Sequence, residues 1–412
     1  MNVEEFMWEL YVGGRDGVSH RSRGRSLAAR AVRCNRTEET VSVSESGPIR
    51  RSIEVEYWVI DREGRLTEPG ALVETSPGVE REFVAPLLEV KTTPCETTSA
   101  LEAELYDRLG RLLQRADELG LGLVPLATPL NHEEVEERPS ERTRVQNRVV
   151  GEAFEYVRHC AGTHVHVEQQ PGSEVDQFNT LVALDPALAL VNTSPYFRGE
   201  RLCAGARSKL YRRMGYDDVP HQGWLWRYLD STDEWDRRLE RRYDDFVRRA
   251  IDAGVDRRTV ESSFDPESAV WTPVQFRAAF DTVEWRSPDT ALPSQVVRLA
   301  DSLADVVEHL HTTDTTVRIE GDTGRVTDDA VVLPEFDAVL RYVEAAMEDG
   351  LDSPALRSYL DRMGFDVGAF EPLSHEFDRH DPVSREEARE LRLQYAERLE
   401  RDVSRATPVR SD

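Results

Sequence analysis

Three stretches of this chain each place two ionisable side chains at i and i+2 within an alternating run. They are Glu54 and Glu56 in Ile53 to Ile60, His164 and His166 before Val167, and Glu284 and Arg286 in Thr282 to Arg286. Successive strand side chains point to opposite faces, so each pair shares one face while Val55, Val165 and Trp285 take the other. A sheet usually gives one face to the core, so three such strands together imply a sheet whose second face is charged for a purpose.

Each pair has more than one reading on its own. Glu54 and Glu56 repel unless a cation bridges them, and hard oxygen ligands suit Mg²⁺ or Mn²⁺; the alternative is a solvated edge strand. His164 and His166 fit a transition metal, hydrogen bonds to a phosphate or carboxylate, or partly buried polar groups of a strand. Glu284 and Arg286 offer one carboxylate for a metal and one guanidinium for an anion, or a simple cross-strand salt bridge.

Around these strands the punctuation is regular. Asp61 to Gly64 reads as a turn, Pro86 to Thr92 as a second short strand, and Ser99 with Glu102 as a capping box. The helix so opened runs through Leu101, Leu105, Leu109 and Leu112 and closes at Gly120. Further helices are expected at 233–250 and 294–311. Past His311 the pattern gives a polar hairpin through Gly321 and Gly324, a helix from Pro334, and a helix opened by Ser384 and Glu387. Three regions are expected: a disordered or over-long extension at 1–51, a catalytic domain at 52–311, and a mostly helical region at 312–412.

Charge narrows the function. With 52 Lys and Arg against 78 Asp and Glu, the formal charge is −26, which excludes nucleic acid and anionic membrane as expected partners. Residues 1–52 carry +2 and the remainder −28, which sets the extension apart. Lys91 and Lys209 are the only lysines. Such acidity suits a salt-rich cytoplasm, and no 18-residue apolar run or apolar signal core argues otherwise. Molar salt is therefore expected to raise the melting temperature, since the Debye length falls to about 3 Å near 1 M; full stability in dilute buffer would count against this. Cys34, Cys95, Cys160 and Cys203 form no CxxC pair, so neither a zinc site nor a disulfide framework is expected. The oligomeric state is left open, a homo-oligomer included.

No GxxxxGK[ST] loop, GxGxxG turn or GxSxG elbow occurs, so nucleotide binding on these strands, if present, is expected to use metal clamps and Arg on a sheet. The run Ile53 to Asp61 resembles the GVExEFxLVD opening of glutamate-cysteine ligase family 2, the carboxylate-amine ligases. Leu88 to Pro94 is similar to the family's E-x-x-T-x-P segment, Ala161 to Val167 to GTHVHV, and Asn192 to Gly199 to SSPFWxG. Ala204 to Lys209 is similar to its SxR element and Thr282 to Asp289 to TVExRxxD. The resemblance covers about residues 52–311.

It implies an α+β fold related to glutamine synthetase, a curved antiparallel sheet forming a funnel flanked by helices, with a helical C-terminal appendage. It also implies ATP and Mg²⁺ (or Mn²⁺) as cofactors, with glutamate and cysteine, or another amine, as substrates. Glu54, Glu56, Glu89, His164 and Glu284 are then the expected metal ligands. Glu284, Arg286 and Arg207 are the expected catalytic residues, and His164, His166 and Arg286 the expected nucleotide contacts. The sequence departs from the family pattern at Ser52-Ile53, where a glycine is usual, and at Gln275, where an Arg is usual with only Arg277 nearby. Two other classes compete: a metal hydrolase on His164 and His166, for which no H-E-x-x-H supplies the remaining ligand, and a non-catalytic sensor of glutamate or nucleotide.

Overall fold

The computed structural model describes residues 48–132, 135–219, 221–311, 315–377 and 382–406. Nearly all of the expected extension therefore lies outside the described residues. In chain order the strands of the first three hundred residues are β1 (Arg51–Asp61), β2 (Val79–Arg81), β3 (Leu87–Lys91), β4 (Leu121–Val124), β5 (Thr163–Glu168), β6 (Tyr196–Phe197), β7 (Glu200–Arg201), β8 (Val274–Arg277) and β9 (Thr282–Trp285). All but the β6 and β7 hairpin join one antiparallel sheet of order β2-β3-β1-β5-β9-β8, with β4 also on β1. The expected α+β antiparallel architecture is thus present.

β1 is the long axis of the sheet, and it changes partners part-way along. Residues 51–55 pair with β5 and residues 58–61 with β4, so the two neighbours diverge and leave the sheet open between them. Ile53, Val55 and Tyr57 are fully buried. Helices Thr98–Leu119, Glu174–Leu184 and Pro293–Leu310 pack on the sheet, because each carries an apolar stripe at helical spacing.

Two boundaries differ from the sequence reading. The strand begins at Arg51 rather than Ile53, since Ile49 is already buried and the Arg51 guanidinium donates to Glu308 at 2.7 Å. The helix after β3 starts one residue before Ser99: Thr97 is the cap, its extended backbone letting its hydroxyl accept from the Ala100 amide at 3.2 Å. Gly120 closes that helix in the left-handed region, as expected.

The C-terminal region holds β10 (Thr316–Ile319), β11 (Arg325–Thr327) and β12 (Ala330–Leu333), then helices Phe336–Glu348, Pro354–Arg362 and Arg385–Ala406. The hairpin expected through Gly321 and Gly324 does not form there: β10 and β11, on either side of that turn, do not pair, and the hairpin is instead β11 with β12, to which β10 adds in parallel. The Ser384 and Glu387 box forms as read, with each amide donating to the other's side chain. Buried Arg392 on the last helix donates to the carbonyls of Gly64, Pro129 and Asn131 at 2.7–2.8 Å, tying that helix to the β1 turn. Gly64 takes φ 72°, and a Cβ there would meet the Arg389 carbonyl at 2.4 Å. Cys95, Cys160 and Cys203 are buried and unpaired. Among the described residues no helix is long and apolar enough to cross a membrane.

Candidate active site

Strand register converts the sequence pairs into three rows on one face. Lys91, Glu54 and His164 lie side by side on β3, β1 and β5. Glu80, Glu89 and Glu56 form the row on one side of it. On the other side, His166, Glu284 and Gln275 span β5, β9 and β8. The i and i+2 rule on adjacent antiparallel strands produces this alignment with no further assumption.

Two clusters of possible metal ligands result, each with one donor atom per residue and those atoms within 4.8 Å of one another. The first is Glu54, His164 and Glu284. His164 Nδ1 lies 3.3 Å from Glu54 Oε2 and 3.2 Å from Glu284 Oε1. His166 reaches the same carboxylates, its Nε2 being 3.8 Å from Glu54 and 3.7 Å from Glu284, while its Nδ1 sits 3.1 Å from the Thr282 hydroxyl. That Nε2 is buried without a hydrogen-bond partner. The second cluster is Glu56, Glu82 and Glu89, an all-oxygen set.

Electrostatics separate the clusters. Burial would raise the Glu284 carboxyl, but the charges of Arg286, His166 and Arg277 outweigh it and bring it to about 2. Burial likewise opposes ionisation of Glu54, yet the Lys91 ammonium and the histidine contacts hold it well below the usual range. His164 is pushed down to about 4 by burial, partly offset by its bond to Glu54. In the second cluster the balance reverses. Burial, reinforced by the Glu82 charge, raises Glu56 to about 8, and burial raises Glu89 well above its ordinary value.

A pH dependence follows. Between the ordinary Glu value of 4.5 and about 8 the folded chain keeps a proton on Glu56 that the unfolded chain has lost. Stability without a cation therefore falls as pH rises through that window. A divalent ion that takes the charged carboxylates opposes this. Thermal melts in chelator should lose several degrees from pH 5.5 to 8, and added Mn²⁺ should restore more at pH 8 than at 5.5. An ion effect equal at both pH values would contradict the second cluster as a cation site.

The residues expected from sequence are not all placed alike. Glu54, His164, His166, Glu284 and Arg286 come together, with Arg286 Nε 3.2 Å from Glu284 Oε1. Glu56 and Glu89 join the second cluster. Arg207 is buried, and it donates to the main-chain carbonyls of Arg286 and Ser287 at 2.9–3.2 Å, so its fork is largely occupied by the end of β9. Gly162 permits this, because a Cβ there would fall 2.1 Å from an Arg207 nitrogen. The Glu56 carboxylate accepts from the Gly162 amide, so Arg207 and Glu56 meet across that glycine.

Lys91 and Glu82 escaped the sequence reading, and Gln275 and Arg277 entered it only as a departure from the family pattern. Lys91 Nζ lies 2.9 Å from Glu89, 3.3 Å from Glu80 and 3.4 Å from Glu54. It sits two residues after Glu89, so the spacing rule that found the other pairs applies to it as well. Gln275 Nε2 donates to Glu284 Oε2 at 2.8 Å, and Arg277 Nε is 3.7 Å from the same oxygen. Glu82 gave no signal, because it follows a strand of only three residues.

Residues 38–363 match the description of glutamate-cysteine ligase family 2. A curated relative, the putative glutamate-cysteine ligase 2 of Chloroflexus aggregans, is 28% identical over 254 residues, covering 58% of this chain and 58% of that protein's length. The crystal structure of a glutamate-cysteine ligase from Francisella tularensis in complex with AMP superposes at a TM-score of 0.51 and 12% identity, over 88% of this chain and 90% of that one. The shared architecture is the glutamine-synthetase-like sheet flanked by helices. Matched over most of its length, the chain belongs to glutamate-cysteine ligase family 2.

Proposed function

We propose that the protein is an ADP-forming carboxylate-amine ligase that joins glutamate to cysteine through a γ-glutamyl phosphate. The observation that carries the proposal is the convergence of two ligand clusters and Arg286 on one face of the sheet. The residues fit divalent ions: one cluster is all carboxylate, and the other sets His164 between two carboxylates, with the unpartnered Nε2 of buried His166 beside it. Glu54, His164 and Glu284 would hold one ion, and Glu56, Glu82 and Glu89 another. When bound, such ions neutralise the charge that builds on phosphoryl oxygens during transfer.

The chain's own groups do the rest. Arg286 and Arg277 border Glu284 from β9 and β8 and orient an anionic phosphate or carboxylate by directed hydrogen bonds. Lys91 neutralises the row that joins the clusters and keeps Glu54 ionised. His166 Nε2 is available to a phosphate oxygen or ion. Displacement of phosphate by the amine needs no protein nucleophile.

The test is ADP release with ATP, Mg²⁺ and glutamate across a panel of amines in high salt. Cysteine should stimulate most. Stimulation by a different amine would keep the ligase and change the acceptor. No stimulation by any amine would leave a sensor of glutamate or nucleotide.

A further inference from the structure

A second cavity, of about 580 Å³, collects Arg212, Arg213, Arg227, Arg238, Arg241 and Arg242 in a chain of net charge −26. It shares no residue with either ligand cluster. It also lies behind the sheet. Arg212 reaches Asp185, which accepts from the Trp285 indole, and Trp285 leaves β9 on the face opposite Glu284.

Among the described residues, no carboxylate lines this cavity. Arg213, Arg227, Arg238 and Arg242 pair with Glu344, Asp337, Glu234 and Asp245, all outside the lining. The Arg213 and Arg227 pairs are well exposed, and exposed pairs of this kind hold their partners weakly enough to exchange them for a ligand anion. Arg241 has no carboxylate partner among the described residues; its Nε donates to the Arg237 carbonyl at 3.1 Å.

Beside these charges stand planar and apolar groups. The Trp224 indole is 53% exposed, unusual for so large an apolar side chain. Phe336 forms part of the wall, with the Arg227 guanidinium 4.9 Å from its ring centre. His221, next to this indole, is held at φ 70°, a conformation that non-glycine residues rarely adopt.

We infer that this cavity is a second ligand site, for a planar ring bearing a diphosphate, that is, a nucleoside diphosphate bound without metal. The forked guanidinium groups match phosphate oxygens, the indole offers a stacking face, and the volume falls within the range for a ligand of that size. The inference does not depend on the ligase reading, since the residues and the face of the sheet are different.

The experiment is calorimetric titration of the full chain with ADP in excess chelator, which withdraws the divalent ions from the other face. One ADP per chain is expected. Trp224→Ala and Arg241→Glu should each weaken it about tenfold or more, and Glu284→Gln should leave it unchanged. Adenosine alone and pyrophosphate alone should each bind far more weakly, because each supplies half of the recognition. Both cavity substitutions are at exposed positions, so a melting temperature close to that of the parent shows that the fold is retained. ADP binding that ignores both cavity substitutions but is lost in Glu284→Gln would overturn the assignment. So would the absence of binding at millimolar ADP, or sedimentation showing a dimer that Trp224→Ala dissociates while ADP does not bind.

Discussion

Replacing Glu54 or Glu284 by Gln should lower turnover by about 10³-fold or more, because each substitution removes a charged ligand from the point where phosphoryl charge must be neutralised. Both variants should also lose stability. Glu284 is 2% exposed and bordered by Arg286, Arg277 and Gln275, so its charge also holds these groups in register. Its depressed value near 2 means that the ionised form contributes to stability from neutral pH down to about pH 4.5, a contribution lost as pH falls towards 2. Glu284→Gln should therefore melt several degrees below the parent, and so should Glu54→Gln, whose carboxyl the Lys91 ammonium and the histidine contacts hold well below the usual range. Rates near those of the parent with unchanged Mg²⁺ dependence would remove both residues from the site.

The largest effect on folding is expected behind the sheet. Asp185 is fully buried and accepts from both terminal nitrogens of Arg212 at 2.7 and 3.1 Å, from the Trp285 indole at 2.9 Å, and from the Ser287 hydroxyl. Removing one member of a buried pair leaves the other charged and unpartnered, which costs about 3–5 kcal/mol. Asp185→Ala should show that loss in denaturant unfolding. Asp185→Ala combined with Arg212→Met should recover a substantial part, because no buried charge is then left without a partner. Trp285 and Ser287 flank Arg286, so activity should fall in the single variant even at temperatures where it remains folded. A cost below about 1 kcal/mol would show that water or neighbouring groups replace Asp185.

The polar sheet face was readable in the sequence because its signal is local. Two ionisable residues separated by one apolar residue need only a strand to face the same way, and Glu54, Glu56, His164, His166, Glu284 and Arg286 all sit in runs long enough to show alternation. Lys91 obeys the same rule with Glu89, and was passed over because a cation among carboxylates reads as a neutral detail until the register sets it beside Glu54 and Glu80. Glu82, and the bond from Gln275 to Glu284, depend on which strands become neighbours, and a single sequence carries no such information; Gln275 itself stood out only as a departure from the family pattern. Arg207 illustrates the opposite limit. The resemblance implies it as a catalytic residue, but the close approach allowed by Gly162 turns most of its donors towards main-chain carbonyls. The parallel pairing of β10 with β12 was likewise hidden, since β11 lies between them in the chain.

The central claim is that this sheet face activates a carboxylate by phosphoryl transfer and passes the acyl group to an amine. Isotope transfer tests it most directly. Glutamate labelled with ¹⁸O in its γ-carboxylate is incubated with ATP, Mg²⁺ and cysteine, and the released phosphate is analysed by mass spectrometry. An acyl phosphate route moves one ¹⁸O from glutamate into each phosphate formed, in step with the amide product. Phosphate released without the label would contradict the account, because ATP would then be hydrolysed by water rather than consumed in activating glutamate.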